Sequence, residues 1–366
     1  MAVPGETLTP AAAAQAALRL ARALERSADW PTRAAFAGCA AGAQFAADDS
    51  LVRAALTAAI TEAWTNPEDL FGPALSLIRL DERIAGCVGR ANDSWPARPP
   101  RAALYGAGGL AALGEDRLLQ ALLGAAPVRS LHLERFLTCA RQALLEGASR
   151  GQAPDPADTG ALGFYAALTR QCFINEFVFD CLEEERLAAA RCRDELLALL
   201  DAAQAVPPFL LLAVAAYLPL HLLPGAERLL AVPQPAAVEE VLRQQIREPL
   251  QERALRADIE RLTPITDGVS RAVREQYEEN PYPRWERMPL HAQPLPFNSG
   301  LQRLLPYARF APLADDHAPQ VLIAGCGTGR DALFVARQFH GARVLAIDLS
   351  LGSIGYARRK TRQLAV

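Results

Sequence analysis

The sequence predicts a mostly α fold: a large all-α N-terminal region, then the opening of an α/β doubly wound domain. Three observations carry that expectation. From Thr9 to about Asn280, apolar residues recur at helical spacing and sustained alternation is nearly absent. Between Asn280 and Gln320, prolines crowd the chain. After that, a short apolar run, Gln320–Ala324, meets a cluster of glycines. The expected organisation is an all-α domain over 1–268, a Pro-rich connecting segment over 269–319, and the N-terminal part of a second domain over 320–366.

The helical part begins with Thr9-Pro10, an N-cap followed by Pro at the first helical position, leading into Ala11–Arg26 with Leu18, Ala21 and Leu24 on one stripe. Further helices are expected at Leu51–Trp64, Glu68–Cys87, Asp116–Leu123, Leu131–Glu146, Gly160–Gln171, Leu182–Leu200, Phe209–Leu222 and Ala236–Ile259, with a short one at Val269–Glu279. In Leu131–Glu146, residues Leu133, Phe136, Leu137, Ala140 and Leu144 mark a core-facing side. Breaks fall at Asn92–Arg101 and Gly147–Thr159, both rich in Pro, and no tetratricopeptide period recurs. The run Gly106-Ala-Gly-Gly109 has no strand before it, so it reads as a loop or helix start, not a phosphate loop. In the Pro-rich segment, Phe297, Leu301, Leu304, Leu305, Tyr307 and Phe310 suggest packing against the rest of the chain.

Composition excludes several classes. The chain has 366 residues, 51% hydrophobic and 22% charged, a soluble globular profile with room for two cores. A net charge of -3 argues against general binding to nucleic acid or an anionic membrane. The apolar stretch Phe209–Leu218 is flanked by Pro207, Pro208 and Pro219, too short for a span of about 20 residues. Seven scattered cysteines and five dispersed histidines form no disulfide framework or zinc spacing, so no metal site is expected. Without a signal-peptide pattern at the start, a cytoplasmic location is expected. Lys360 is the single lysine among 38 basic residues, a skew that reads as coding bias.

The chemistry sits at the end of the chain. The strand Gln320–Ala324 runs into Gly325-Cys-Gly-Thr-Gly329, a helix follows, and a second strand, Arg343–Ile347, ends at Asp348. Glycines let the backbone turn sharply and approach a ligand, and the next helix offers its N-terminal amides. Asp348 stands about 20 residues beyond the loop, where a carboxylate accepts hydrogen bonds from ribose hydroxyls. The dinucleotide fingerprint wants Gly or Ala where Arg330 stands, which weighs against a nicotinamide or flavin domain. Cys326 reads as a small loop residue, not a nucleophile.

This G-x-G-x-G unit, with Asp348-Leu349-Ser350 after the second strand, resembles the opening motifs of the class I S-adenosylmethionine-dependent methyltransferases. The resemblance implies S-adenosylmethionine as cofactor, with Gly325, Cys326, Gly327, Thr328 and Gly329 against its methionine half, Asp348 on the ribose and Leu349 beside it. The stretch Gln276-Tyr-Glu-Glu-Asn-Pro-Tyr-Pro-Arg-Trp285 is similar to the lead-in of a bacterial methyltransferase module often found behind tetratricopeptide arrays, and makes Tyr277, Tyr282, Arg284 and Trp285 candidate lid residues. Thr169–Phe179 and Leu212–Pro219 also resemble the helical region of such proteins. One departure is Ile323, where the family often has an acid two residues before the first glycine.

The expected function is therefore methyl transfer to an acceptor the sequence does not name, with no catalytic residue assignable. A domain of this family resembles seven strands, so the chain is expected to be a fragment lacking the catalytic half and inactive alone. The rival reading is a helical interaction scaffold with a vestigial cofactor site, its helical domain offering a surface to a protein partner.

Overall fold

A computed structural model describes residues 8–149, 160–262, 267–268, 274, 277–278, 281–289, 294–314 and 317–366. The chain divides into two compact units, Met1–Arg247 and Glu248–Val366. The helical domain expected over 1–268 differs from this division, which falls between Arg247 and Glu248. The chain is helical through the first unit, and both named strands lie in the second.

The first unit contains α1 (Pro10–Leu24), α2 (Trp30–Ala41), α3 (Ser50–Thr61), α4 (Phe71–Ile78), α5 (Glu82–Ser94), α6 (Arg101–Tyr105), α7 (Gly109–Glu115), α8 (Arg117–Leu123), α9 (Leu131–Ser149), α10 (Leu162–Ile174), α11 (Glu183–Asp201), α12 (Pro208–Ala215) and α13 (Ala236–Leu242). Thr9 caps α1 as expected, its hydroxyl accepting from Ala12 N. The buried row on α1 is Ala13, Ala17 and Ala21, whereas Leu18 and Leu24 are half-buried. The α9 stripe is buried as its spacing requires.

Three expected helices divide for local reasons, and one of them, Phe209–Leu222, becomes α12 and a 3₁₀ turn at Leu220–Leu222 that follows Pro219. Glu68–Cys87 becomes a 3₁₀ turn, α4 and α5, because Asp81 caps α5 by accepting from Arg83 N and Ile84 N. Ala236–Ile259 becomes α13, a π turn at Arg243–Arg247 and the first helix of the second unit. The Gly106–Gly109 run is a helix start, and a Cβ on Gly109 would lie 2.5 Å from Cys87 Sγ. Helices α2 and α6 have no counterpart in the sequence expectation.

A polar hub is buried in this unit. Glu185 of α11 accepts from Tyr217 Oη at 2.8 Å and pairs with Arg98 at 3.3 Å and Arg141 at 3.5 Å. All three charged side chains are at most 4% exposed. Such groups stay buried only when the charges are matched, and Asp180 supplies the second carboxylate, 2.6 Å from Arg98.

The second unit contains α14 (Glu248–Arg256), α15 (Phe297–Leu304), β1 (Gln320–Ala324), α16 (Arg330–Gln338), β2 (Arg343–Ile347) and α17 (Leu351–Leu364). Strands β1 and β2 pair in parallel, in register from Gln320↔Arg343 to Ala324↔Ile347. Helix α17 lies on α14, where Arg359 bonds Glu252 at 2.8 Å and Glu248 at 3.2 Å. A small core joins Trp285, Met288, Leu333 and Tyr356. The Pro-rich segment packs through Phe297, 4.8 Å from Phe339 between ring centroids, and includes the unexpected helix α15. Leu304, Leu305 and Tyr307, expected to pack, are exposed. The expected helix Val269–Glu279 lies largely outside the described residues. Among the described residues, no helix is long and apolar enough to cross a membrane, and no group of His, Cys, Asp and Glu is placed to hold a metal ion.

Candidate functional site: a glycine loop at the end of a parallel strand pair

The loop turns where β1 ends. Gly325, Gly327 and Gly329 have φ of +71°, +51° and +80°, a region that disfavours any residue with a Cβ. Gly325 N and Cys326 N donate to Ile347 O at 2.9 and 3.0 Å, extending the strand pairing into the loop. The three glycines then differ. A Cβ at Gly325 would meet nothing within 4 Å, and one at Gly327 only Tyr282 O at 3.9 Å. A Cβ at Gly329 would lie 2.5 Å from Ala357 Cβ on α17. The first two thus leave open space beside the backbone, and the third lets a helix come close.

Asp348 follows β2 and reaches back to the loop. Its Oδ2 accepts from Gly327 N at 2.8 Å and its Oδ1 from Ser350 N at 2.9 Å. A carboxylate has about four acceptor positions, so capacity remains for two hydroxyl donors. Beside it, burial and then the Asp348 charge push the Cys326 thiol up to about 11. At neutral pH the thiol is therefore protonated.

Loop and carboxylate line an open cleft of about 1340 Å³. Gly325, Cys326, Gly327, Thr328, Asp348 and Leu349 all line it, as do Tyr277 and Tyr282. Gly329 is buried against α17 and does not line it. Arg284 and Trp285 are not lining residues either; the Trp285 ring is buried, 4% exposed, in the small core. The four aromatic-segment candidates therefore separate into two that face the cleft and two that do not.

Residues 321–366 match the family model described as Methyltransferase domain. Over that C-terminal stretch the chain is similar to a methyltransferase domain. No curated protein and no solved structure matches the chain.

Three further residues line the cleft that were not among the expected site residues. Glu278 accepts from Leu351 N at 2.6 Å and Gly352 N at 3.0 Å, satisfying the first amides of α17. Ser350 caps the same helix through Ser353 N and donates to Tyr277 O at 2.9 Å. Arg256 stands 3.7 Å from Glu278 and lines the cleft. Ser350 had a readable signal, a serine just ahead of a helix. Glu278 had none, because its partners lie 73 and 74 residues away.

Proposed function

We propose that the cleft binds S-adenosylmethionine and that the protein is a methyltransferase using it. The observation that supports this best is the placement of Asp348 beside two glycines whose missing Cβ atoms leave the cleft open. A carboxylate with spare acceptor positions suits a ribose diol, and bare backbone suits close approach of the methionine half. Leu349, 44% exposed on the cleft wall, offers an apolar surface beside the ribose position. When bound, S-adenosylmethionine supplies an electrophilic methyl group on its sulfonium. The chain's part is to hold and orient. Asp348 holds the loop through Gly327 N and the ribose through its remaining acceptor positions, and Cys326, protonated at neutral pH, offers no competing thiolate nucleophile near the sulfonium.

The acceptor is a molecule not identified by these residues, and we place the activity in the cytoplasm. Equilibrium dialysis of the 366-residue chain with labelled S-adenosylmethionine, and in parallel with labelled NAD, tests the reading. Retention of the first and not the second is expected. Equal retention of both, or of neither, would overturn it.

A further inference from the structure

Beyond the loop and the acid, two hydrogen bonds run in opposite directions between the same two stretches of chain. Trp285 Nε1 donates to Thr328 O at 3.1 Å, and Thr328 Oγ1 donates to Pro283 O at 2.8 Å. Thr328 is the fourth residue of the glycine loop, and both it and Trp285 are buried. The threonine hydroxyl therefore binds the Pro281–Met288 segment. The indole is fixed from behind as well. Tyr356 Oη donates to Trp285 O, and the Tyr356 ring stands edge-on to the indole at 6.0 Å. Lys360 Nζ lies 5.0 Å from the indole centroid and donates to Glu286 O at 2.8 Å.

We propose that Trp285 is a positioning residue for the cofactor loop, acting through its indole N–H and Thr328, so that Pro281–Met288 is a fixed brace. This rests on the cofactor reading above. A loop with three left-handed glycines has little conformational preference of its own, so order must come from neighbours. The reciprocal pair supplies it at one loop residue, as Asp348 does at the preceding one. A purely packing role would need only an aromatic ring, and the N–H directed at a loop carbonyl is the part such a role leaves unexplained. The single lysine of an arginine-rich chain sits behind that indole, nearly inaccessible at 1% exposure. There a compact ammonium meets two ring faces and one carbonyl, where a planar guanidinium needs more room.

The test uses the full chain in four forms: the parent, Trp285→Phe, Thr328→Val and Thr328→Ser. Phenylalanine keeps the ring and removes the N–H; serine keeps the hydroxyl that valine removes. Amide hydrogen exchange at residues 325–329, without cofactor, is compared with exchange within α17. Trp285→Phe and Thr328→Val should each speed exchange in the loop about five- to tenfold and leave α17 unchanged. Thr328→Ser should behave as the parent. Dissociation constants for labelled S-adenosylmethionine should rise by a similar factor in the first two variants, and less than multiplicatively when they are combined. Unchanged loop exchange in Trp285→Phe, or equal acceleration throughout α17, would overturn the brace. A parent chain that binds no S-adenosylmethionine would overturn the functional reading instead, and the exchange comparison would still decide the brace.

Discussion

Two glycines four residues apart should respond unequally to the same small substitution. In Gly325→Ala the new methyl enters open space, so the cost is the left-handed backbone alone, about 1–2 kcal/mol. In Gly329→Ala the same backbone cost applies, and the methyl also lies 2.5 Å from Ala357 Cβ. Ordinary carbon contacts are about 3.5–4.0 Å, so α17 must move outward by an ångström or more. Overpacking of that kind adds about 1–3 kcal/mol. The expected totals are about 1–2 kcal/mol for Gly325→Ala and about 2–5 kcal/mol for Gly329→Ala. Binding should rank the other way per unit of stability lost. The Gly325 methyl occupies cleft space and weakens S-adenosylmethionine retention, while a folded Gly329→Ala chain keeps that space clear. Urea unfolding followed by fluorine NMR of fluorotryptophan reads the relevant unit, because Trp285 is the one tryptophan of four within Glu248–Val366. Equal destabilisation by the two substitutions would refute the division of labour among the loop glycines.

Other substitutions probe the remaining groups. Asp348→Ala removes the acceptor of both Gly327 N and Ser350 N, so retention of S-adenosylmethionine should fall at least tenfold and loop amides should exchange faster, both readable in the assays above. Cys326 should alkylate slowly at pH 8: with its thiol pushed up to about 11, thiolate appears only as pH rises toward that value, and mass-spectrometric mapping should show Asp348→Asn speeding the reaction. Any stability Cys326 contributes as a neutral thiol is present below the ordinary thiol range and declines as pH climbs through about 11. Glu185→Ala leaves Arg98 and Arg141 buried without their shared carboxylate and should cost the first unit about 3–5 kcal/mol in urea unfolding.

What could be read in advance follows the range of the interactions. The α9 stripe, the Thr9 cap and the strand–loop–helix order all depend on neighbours within a turn or two, and they stand where spacing puts them. Helix α2 went unread although Asp29 caps it and Pro31 opens it, because its face is mostly alanine and carries little hydrophobic contrast. Asp348 was legible as a carboxylate at a strand end, but its bond to Gly327 N spans 21 residues and needs the parallel pairing to bring the ends together. Trp285 read as part of an aromatic lid because composition shows an indole and not its direction. Its burial is set by Tyr356 and Lys360, more than 70 residues on.

A chain with one ε-amine invites a chemical use of Lys360. Acylating reagents find, besides the α-amino group, a single amine, and it is closed off under an indole and a phenol ring. In the native state its acylation must wait for the buried amine to become exposed. The rate at which one acetyl mass accumulates on the peptide containing Lys360 is therefore a clock for opening of the small core, readable without dyes, added cysteines or any mutation. Conjugation through lysine under native conditions would meet the same barrier.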